Sequence, residues 1–122
     1  MSKHPLIKVT STRIESSQAG VFALTGRLTG DRESYQLLES ITEAVDEGLR
    51  HVVLDLSALQ FSNSSGLGII ASIYNLVHAK QGVLVVVGAT DMVRKAMEII
   101  RLWGLVEHAD SVEAALLRLP SD

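Results

Sequence analysis

The sequence predicts a single α/β domain spanning 1–122, with its core at about 6–119 and a mixed sheet of four to five strands. An N-terminal hairpin opens the fold and about four helices cover it. Two observations point there. From His51 onward, short β-branched runs alternate with longer stretches in which apolar residues recur at helical spacing. Hydrophobic residues make up 47% of 122, enough for one core, yet aromatics are only 4%, so that core must come from Leu, Ile, Val and Ala, as in strands covered by helices.

From about Leu6 to Glu15, Ile7, Val9 and Ile14 mark a first strand. Ser16-Ser17-Gln18-Ala19-Gly20 reads as a hairpin turn, and Val21 to Leu24 as the returning strand. After Gly26, Asp31 is the expected N-cap of a helix carrying Leu37, Leu38, Ile41, Ala44 and Val45, with Gly48 as its C-cap. His51-Val52-Val53-Leu54-Asp55-Leu56 is almost continuously apolar, the pattern of a central strand buried on both faces. The chain after Leu56 is expected to form a loop, followed by a helix from Ser64 to Lys80 with Ile70, Ile73 and Val77 on one face, widened by Leu67, Tyr74 and Leu76. Gln81-Gly82 ends it.

Val83 to Val87 is the strongest strand signal, and Thr90-Asp91 precedes a helix marked by Val93, Met97 and Ile100. Gly104-Leu105-Val106 reads as a short edge strand. Asp110 with Glu113 three residues on resembles a capping box, and Val112, Ala115, Leu116 and Leu119 form a last apolar stripe before Pro120. Strands alternating with helices predict parallel neighbours joined by right-handed crossovers, with functional loops beyond the C-terminal strand ends.

Eleven Lys and Arg against fourteen Asp and Glu leave a net charge of −3 without a basic tract, which argues against nucleic-acid binding. Without cysteine there is no disulfide, thiolate metal site or cysteine nucleophile. No apolar run reaches the roughly 18 residues of a membrane span, and Met1 to Thr10 lacks a secretory signal's apolar region, so a cytoplasmic protein with no direct membrane insertion is expected.

The segment Phe61-Ser62-Asn63-Ser64-Ser65-Gly66-Leu67-Gly68 brings polar capping residues to the start of an apolar helix. Its plain structural role is a cap, in which Asn63 or Ser64 accepts a hydrogen bond from a free backbone N–H, worth about 1 kcal/mol. The same position has a chemical use, because a helix N-terminus presents N–H groups and partial positive charge to an anion. A phosphoserine would place about −1.5 to −2 charges there. The domain would stay folded while a partner-binding surface changed its charge.

Val53-Leu54-Asp55-Leu56-Ser57, Phe61 and Asn63-Ser64-Ser65-Gly66-Leu67-Gly68 together resemble the signature of STAS-domain anti-sigma factor antagonists, an apolar strand followed by Asp-Ser-Ser-Gly-Leu-Gly. Gly26-Arg27-Leu28, Val83 to Gly88 and Gly104-Leu105 extend the resemblance from about Leu6 to Leu119. It implies a STAS fold and a non-catalytic binding module without cofactor or metal. Ser64 would be the phosphoacceptor of a partner anti-sigma factor with serine kinase activity, and a PP2C-type phosphatase would reverse the step. The unphosphorylated form would bind the partner and free a sigma factor. Asn63, Ser64, Ser65, Gly66, Arg27 and Thr29 form the implied partner-binding set; Leu67 and Ile69 join it as residues flanking the switch, with packing against the sheet as their alternative role. The chain departs from the family pattern in two places: Asn63 replaces an acid, and Gly26-Arg27-Leu28-Thr29 stands for Gly-Glu-Leu-Asp. Both change the charge of the docking face. The alternative within the family is a phosphorylation-independent subunit of a signalling assembly or transport ATPase.

Other patterns weigh less. Gly66-Leu67-Gly68-Ile69-Ile70-Ala71 matches Gly-x-Gly-x-x-Ala, but about ten residues separate it from Leu56 and no acid follows at the required distance, so small residues for close helix packing are the better reading. A hydrolase triad would need a serine, His78 and Asp55 or Asp110, with no nucleophile elbow to support it. Asp55 reads instead as a hydrogen-bond acceptor at a strand end. His4, His51, His78 and His108 are too dispersed for a metal site and read as surface or partly buried side chains, while Trp103 and Tyr74 read as core.

Overall fold

The computed structural model describes residues 7–120, so Leu6, His4 and the two ends of the 1–122 span lie outside the described residues. β1 (Ile7–Ile14) and β2 (Ala19–Leu28) form the antiparallel hairpin, joined by a 3-10 turn at Glu15–Ser17 and by Gln18, whose φ of 53° is left-handed. β3 (His51–Ser62), β4 (Leu84–Val87) and β5 (Glu107–Ala109) then add in parallel, so the five-stranded sheet runs β1-β2-β3-β4-β5. α1 (Arg32–Asp46), α2 (Ser64–Ala79) and α3 (Asp91–Ile99) connect successive strands. α4 (Val112–Leu117) follows β5.

Side-chain alternation divides the core. Phe22, Leu24, Val52, Leu54, Leu84 and Val86 point to one side of the sheet and pack with Leu37, Ile41, Ile70, Ile73 and Met97 of α1, α2 and α3. Val53, Val85 and Val87 point to the other, against Ala115 and Leu119 in and after α4. The central strands are therefore buried on both faces, which is why their sequence is continuously apolar.

Three expectations shift. The chain after Leu56 is not a loop, because β3 continues to Ser62 alongside a β2 that itself runs to Leu28. Two bulges accommodate this. Between the pairs Ala23↔Asp55 and Thr25↔Ala58, and again between Gly26↔Leu59 and Arg27↔Phe61, β3 spends one residue more than β2. Asp55 Oδ1 fastens the first bulge by accepting from Ser57 N–H at 3.0 Å and Ser57 Oγ at 2.7 Å, and Gly26, at φ 106°, serves the second. Asp55 is thus the structural acceptor anticipated, inside a strand rather than at its end.

The edge strand lies at Glu107–Ala109, not at Gly104–Val106. The preceding residues are consumed in ending α3: Leu102 N–H bonds to Met97 O, Arg101 N–H to Glu98 O, and Leu105 N–H to Leu102 O. This Schellman ending recurs. Leu49 N–H to Ala44 O closes α1 through Gly48 at φ 111°, and Gly82 N–H to Val77 O closes α2 through Gln81 at φ 61°. Only the first uses glycine at the left-handed position, so the other two ends carry weaker sequence marks. Finally, α4 is capped by Ser111, which accepts from Ala114 N–H at 3.0 Å, and not by Asp110.

Candidate functional site

β2 and β3 are parallel neighbours, so the helices that follow them both begin at the same end of the sheet. The α1 and α2 N-termini meet there through Gly30 and Ser65: a Cβ on Gly30, which sits at φ 80°, would fall 2.5 Å from Ser65 Cβ. Positive φ and this close approach both restrict position 30 to glycine. Two helix dipoles thus present their positive ends side by side.

Asn63 is the N-cap of α2, and its amide works in two directions. Oδ1 accepts from Gly66 N–H at 2.8 Å, and Nδ2 donates to Thr29 O at 2.9 Å. Asn63 N–H also donates to Leu28 O. Thr29 in turn donates its N–H to Ser34 Oγ at 3.3 Å, and Ser34 Oγ donates to Asp31 Oδ1 at 2.8 Å, the carboxylate that caps α1 through Ser34 N–H. A chain of hydrogen bonds therefore joins one helix cap to the other through the β2–α1 loop. An acid at position 63 could cap α2 but could not donate to Thr29.

Ser64, the first residue of α2, is exposed, as is Ser65. As first-turn residues their N–H groups have no intrahelical acceptor, and Asn63 satisfies only the next one, on Gly66. Ser64 is thus an exposed residue at a position where added negative charge is stabilised rather than resisted. Arg27 is exposed at the end of β2, its guanidinium carbon 4.4 Å from the centre of the Phe61 ring, opposite it in the ladder. Thr29 is half-buried, its backbone engaged as described.

The expected partner-binding set divides. Arg27, Thr29, Asn63, Ser64 and Ser65 line one end of the sheet. Ile69 is 2% exposed, Leu67 7%, and both lie in the core beneath α2. Their side chains cannot meet a partner, a correction that follows from their facing the sheet. Gly66 is buried for a packing reason, since a Cβ there would lie 2.2 Å from Leu28 O. Gly68 faces open space, so close packing does not explain it. Sequence reasoning missed Gly30 and the contribution of Phe61 as a platform for Arg27. The Gly30-Asp31 dipeptide between strand and helix was the available signal for the first.

The competing chemistries do not assemble. Gly66 to Ala71 lie within α2 itself, not in a phosphate-cradling turn. His78 is fourteen residues beyond Ser64 on that helix, about 21 Å along its axis, and stacks on Tyr74. His51 is 1% exposed and accepts from Val83 N–H, so it is buried rather than superficial. Among the described residues no cluster of His, Cys, Asp or Glu could hold a metal, and no helix is long and apolar enough to cross a membrane.

A five-stranded mixed sheet with this hairpin, this strand order and a capped serine pair at the head of α2 defines a class. The STAS-domain family model matches residues 10–115, and the chain belongs to that family. Among its relatives is an anti-sigma F factor antagonist of Paenibacillus polymyxa, 32% identical over 102 residues that cover 81% of this chain and 85% of the relative. The solved structure of the anti-sigma factor antagonist SpoIIAA in its unphosphorylated form superimposes with a TM-score of 0.78 at 22% identity, covering 91% of this chain and 95% of that one. The phosphorylated form of Bacillus SpoIIAA gives 0.74 at 20% identity, over 91% and 98% of the two chains. At those identities the structural matches speak for the fold.

Proposed function

We propose that this chain is an anti-sigma factor antagonist switched by reversible phosphorylation of Ser64. The observation that carries the reading is the placement of an exposed serine as the first residue of α2, beside a second helix N-terminus and next to a neutral cap. The named relative from Paenibacillus, an anti-sigma F factor antagonist, supports the antagonist part of the reading. The partner is an anti-sigma factor with serine kinase activity, which transfers the terminal phosphoryl group of ATP to Ser64 Oγ as the hydroxyl proton leaves. A PP2C-type phosphatase returns the hydroxyl by hydrolysis. The chain itself is a substrate and binding module, acting in the cytoplasm where sigma factors act.

Unphosphorylated, the surface formed by Arg27, Thr29, Asn63, Ser64 and Ser65 docks the anti-sigma factor and releases its sigma factor. Phosphorylation adds about two negative charges at the centre of that surface without unfolding α2, because the free N–H groups and helix dipole accept them. The contact is then lost by repulsion and desolvation. A Ser64→Asp variant tests this. It should keep the far-UV spectrum of the parent and bind the anti-sigma factor at least about ten-fold more weakly, a change of about 1.4 kcal/mol. Undiminished binding in a calorimetric titration would sink the proposal.

A further inference from the structure

The end of the sheet that carries Ser64 differs in charge from the chain as a whole. The sequence sums to a net charge of −3, yet two exposed arginines stand near the helix caps: Arg27, next to last in β2, and Arg32, the first residue of α1. Arg32 lies two residues beyond Gly30, the glycine that meets Ser65, and Arg27 is held over the Phe61 ring.

The acids of this region are committed or distant. Asp31 accepts from Ser34 N–H and Ser34 Oγ, so its charge is set against the α1 dipole. Glu33 is half-buried in the groove between α1 and β1, which Lys8 also lines, and those two charges offset each other. Asp55, Asp91 and Asp110 belong to a lower level of the sheet. β2 runs on from Ala23, level with Asp55 and through it with Val87 and Ala109, to Leu28, level with Ser62. That advance is about 16 Å, well beyond the ionic screening length of about 8 Å. Arg27 and Arg32 against Asp31 therefore leave about one positive charge, reinforced by the positive ends of two helix dipoles.

This sign bears on the chemistry of the partner. A phosphate on Ser64 brings about −1.5 to −2 charges, enough to turn the end from positive to negative. Release on phosphorylation requires a partner surface that is attracted before this inversion and repelled after it. A basic patch would instead hold the phosphorylated chain more tightly. We infer that the anti-sigma factor meets this end with an acidic patch, and that Arg32, absent from the set implied by the sequence, joins Arg27 as a specificity-determining contact. The inference rests on the antagonist reading of the site. Asn63 and Thr29 serve the same end, since an acid at either position would cancel an arginine.

Stopped-flow association of the full chain with each serine-kinase anti-sigma factor of its own genome, at about 50 and about 500 mM NaCl, tests the sign. The dissociation constant should rise at least about ten-fold between the two salts, mostly through slower association. Arg32→Glu should slow association at least about five-fold at the lower salt and Arg32→Lys less than about two-fold, and the gap between parent and Arg32→Glu should shrink at the higher salt. A glutamate at the first position of α1 suits the helix dipole, so the variant should keep the far-UV spectrum of the parent. Binding that is indifferent to salt or tightens with it, or Arg32→Glu associating as fast as the parent, would overturn the inference and leave the antagonist reading standing. If none of those anti-sigma factors binds the parent chain, the antagonist reading itself fails and the inference falls with it.

Discussion

Replacing Asn63 separates an ordinary helix cap from the bridge between two caps. The parent side chain makes two bonds, Oδ1 with Gly66 N–H at 2.8 Å and Nδ2 with Thr29 O at 2.9 Å. Asn63→Ala removes both, with about 1 kcal/mol for the cap and about 1 kcal/mol for the second bond. Asn63→Asp keeps the cap and gains about 0.3–1 kcal/mol from the helix dipole. It also loses the donated bond and turns a carboxylate oxygen toward the Thr29 carbonyl, so the net expectation is a loss of about 1 kcal/mol. For a domain of this size about 4 °C of melting temperature corresponds to each kcal/mol, which places Asn63→Asp about 4 °C and Asn63→Ala about 8 °C below the parent. Thermal unfolding followed by circular dichroism at neutral pH reads both. If the aspartate variant melts at or above the parent, position 63 is only a cap, and the coupling of the β2–α1 loop to α2 is refuted.

The two glycines of α2 should behave oppositely. Gly66→Ala drives a methyl to 2.2 Å from Leu28 O and 2.4 Å from Ser62 Oγ, and should cost about 2 kcal/mol or more in urea unfolding. Gly68→Ala meets nothing within 4 Å and should add about 0.5–1 kcal/mol through helix propensity; a destabilised Gly68→Ala would contradict the placement of that face in solvent. Arg27→Glu reverses the charge on the Phe61 platform, and should change partner affinity by about ten-fold or more while shifting stability by under about 1 kcal/mol, readable in parallel titration and melting experiments.

Much of the fold was legible because periodicity is strong where an element is buried on one or two sides. Val83 to Val87, His51 to Leu56 and the α1 stripe all announce themselves this way. The misplacements share a cause: they lie where backbone geometry, not side-chain pattern, decides the outcome. β3 looks finished at Leu56 because its bulges break the alternation that marks a strand. The edge strand was displaced because Arg101 turns the chain at a left-handed position that carries no glycine. At the site, Asn63 as a cap and Ser64 as an exposed first-turn residue were readable from residue type and order. The amide bridge to Thr29 spans 34 positions, so no local pattern could reveal it. For Leu67 and Ile69 the sequence leaves both an interface and a sheet-facing role open, because it fixes the helical period but not which face meets the sheet; their burial decides for the sheet.

Mapping the phosphate decides whether Ser64 is the switch. The chain and its Ser64→Ala variant are each incubated with ATP and the serine-kinase anti-sigma factors of the same genome, then digested and analysed by mass spectrometry. A single phosphate is expected on the peptide containing Asn63-Ser64-Ser65-Gly66, localised to Ser64, and none on the variant. Phosphate confined to Ser65 or to a distant residue, or a Ser64→Ala chain modified as readily as the parent, would contradict it.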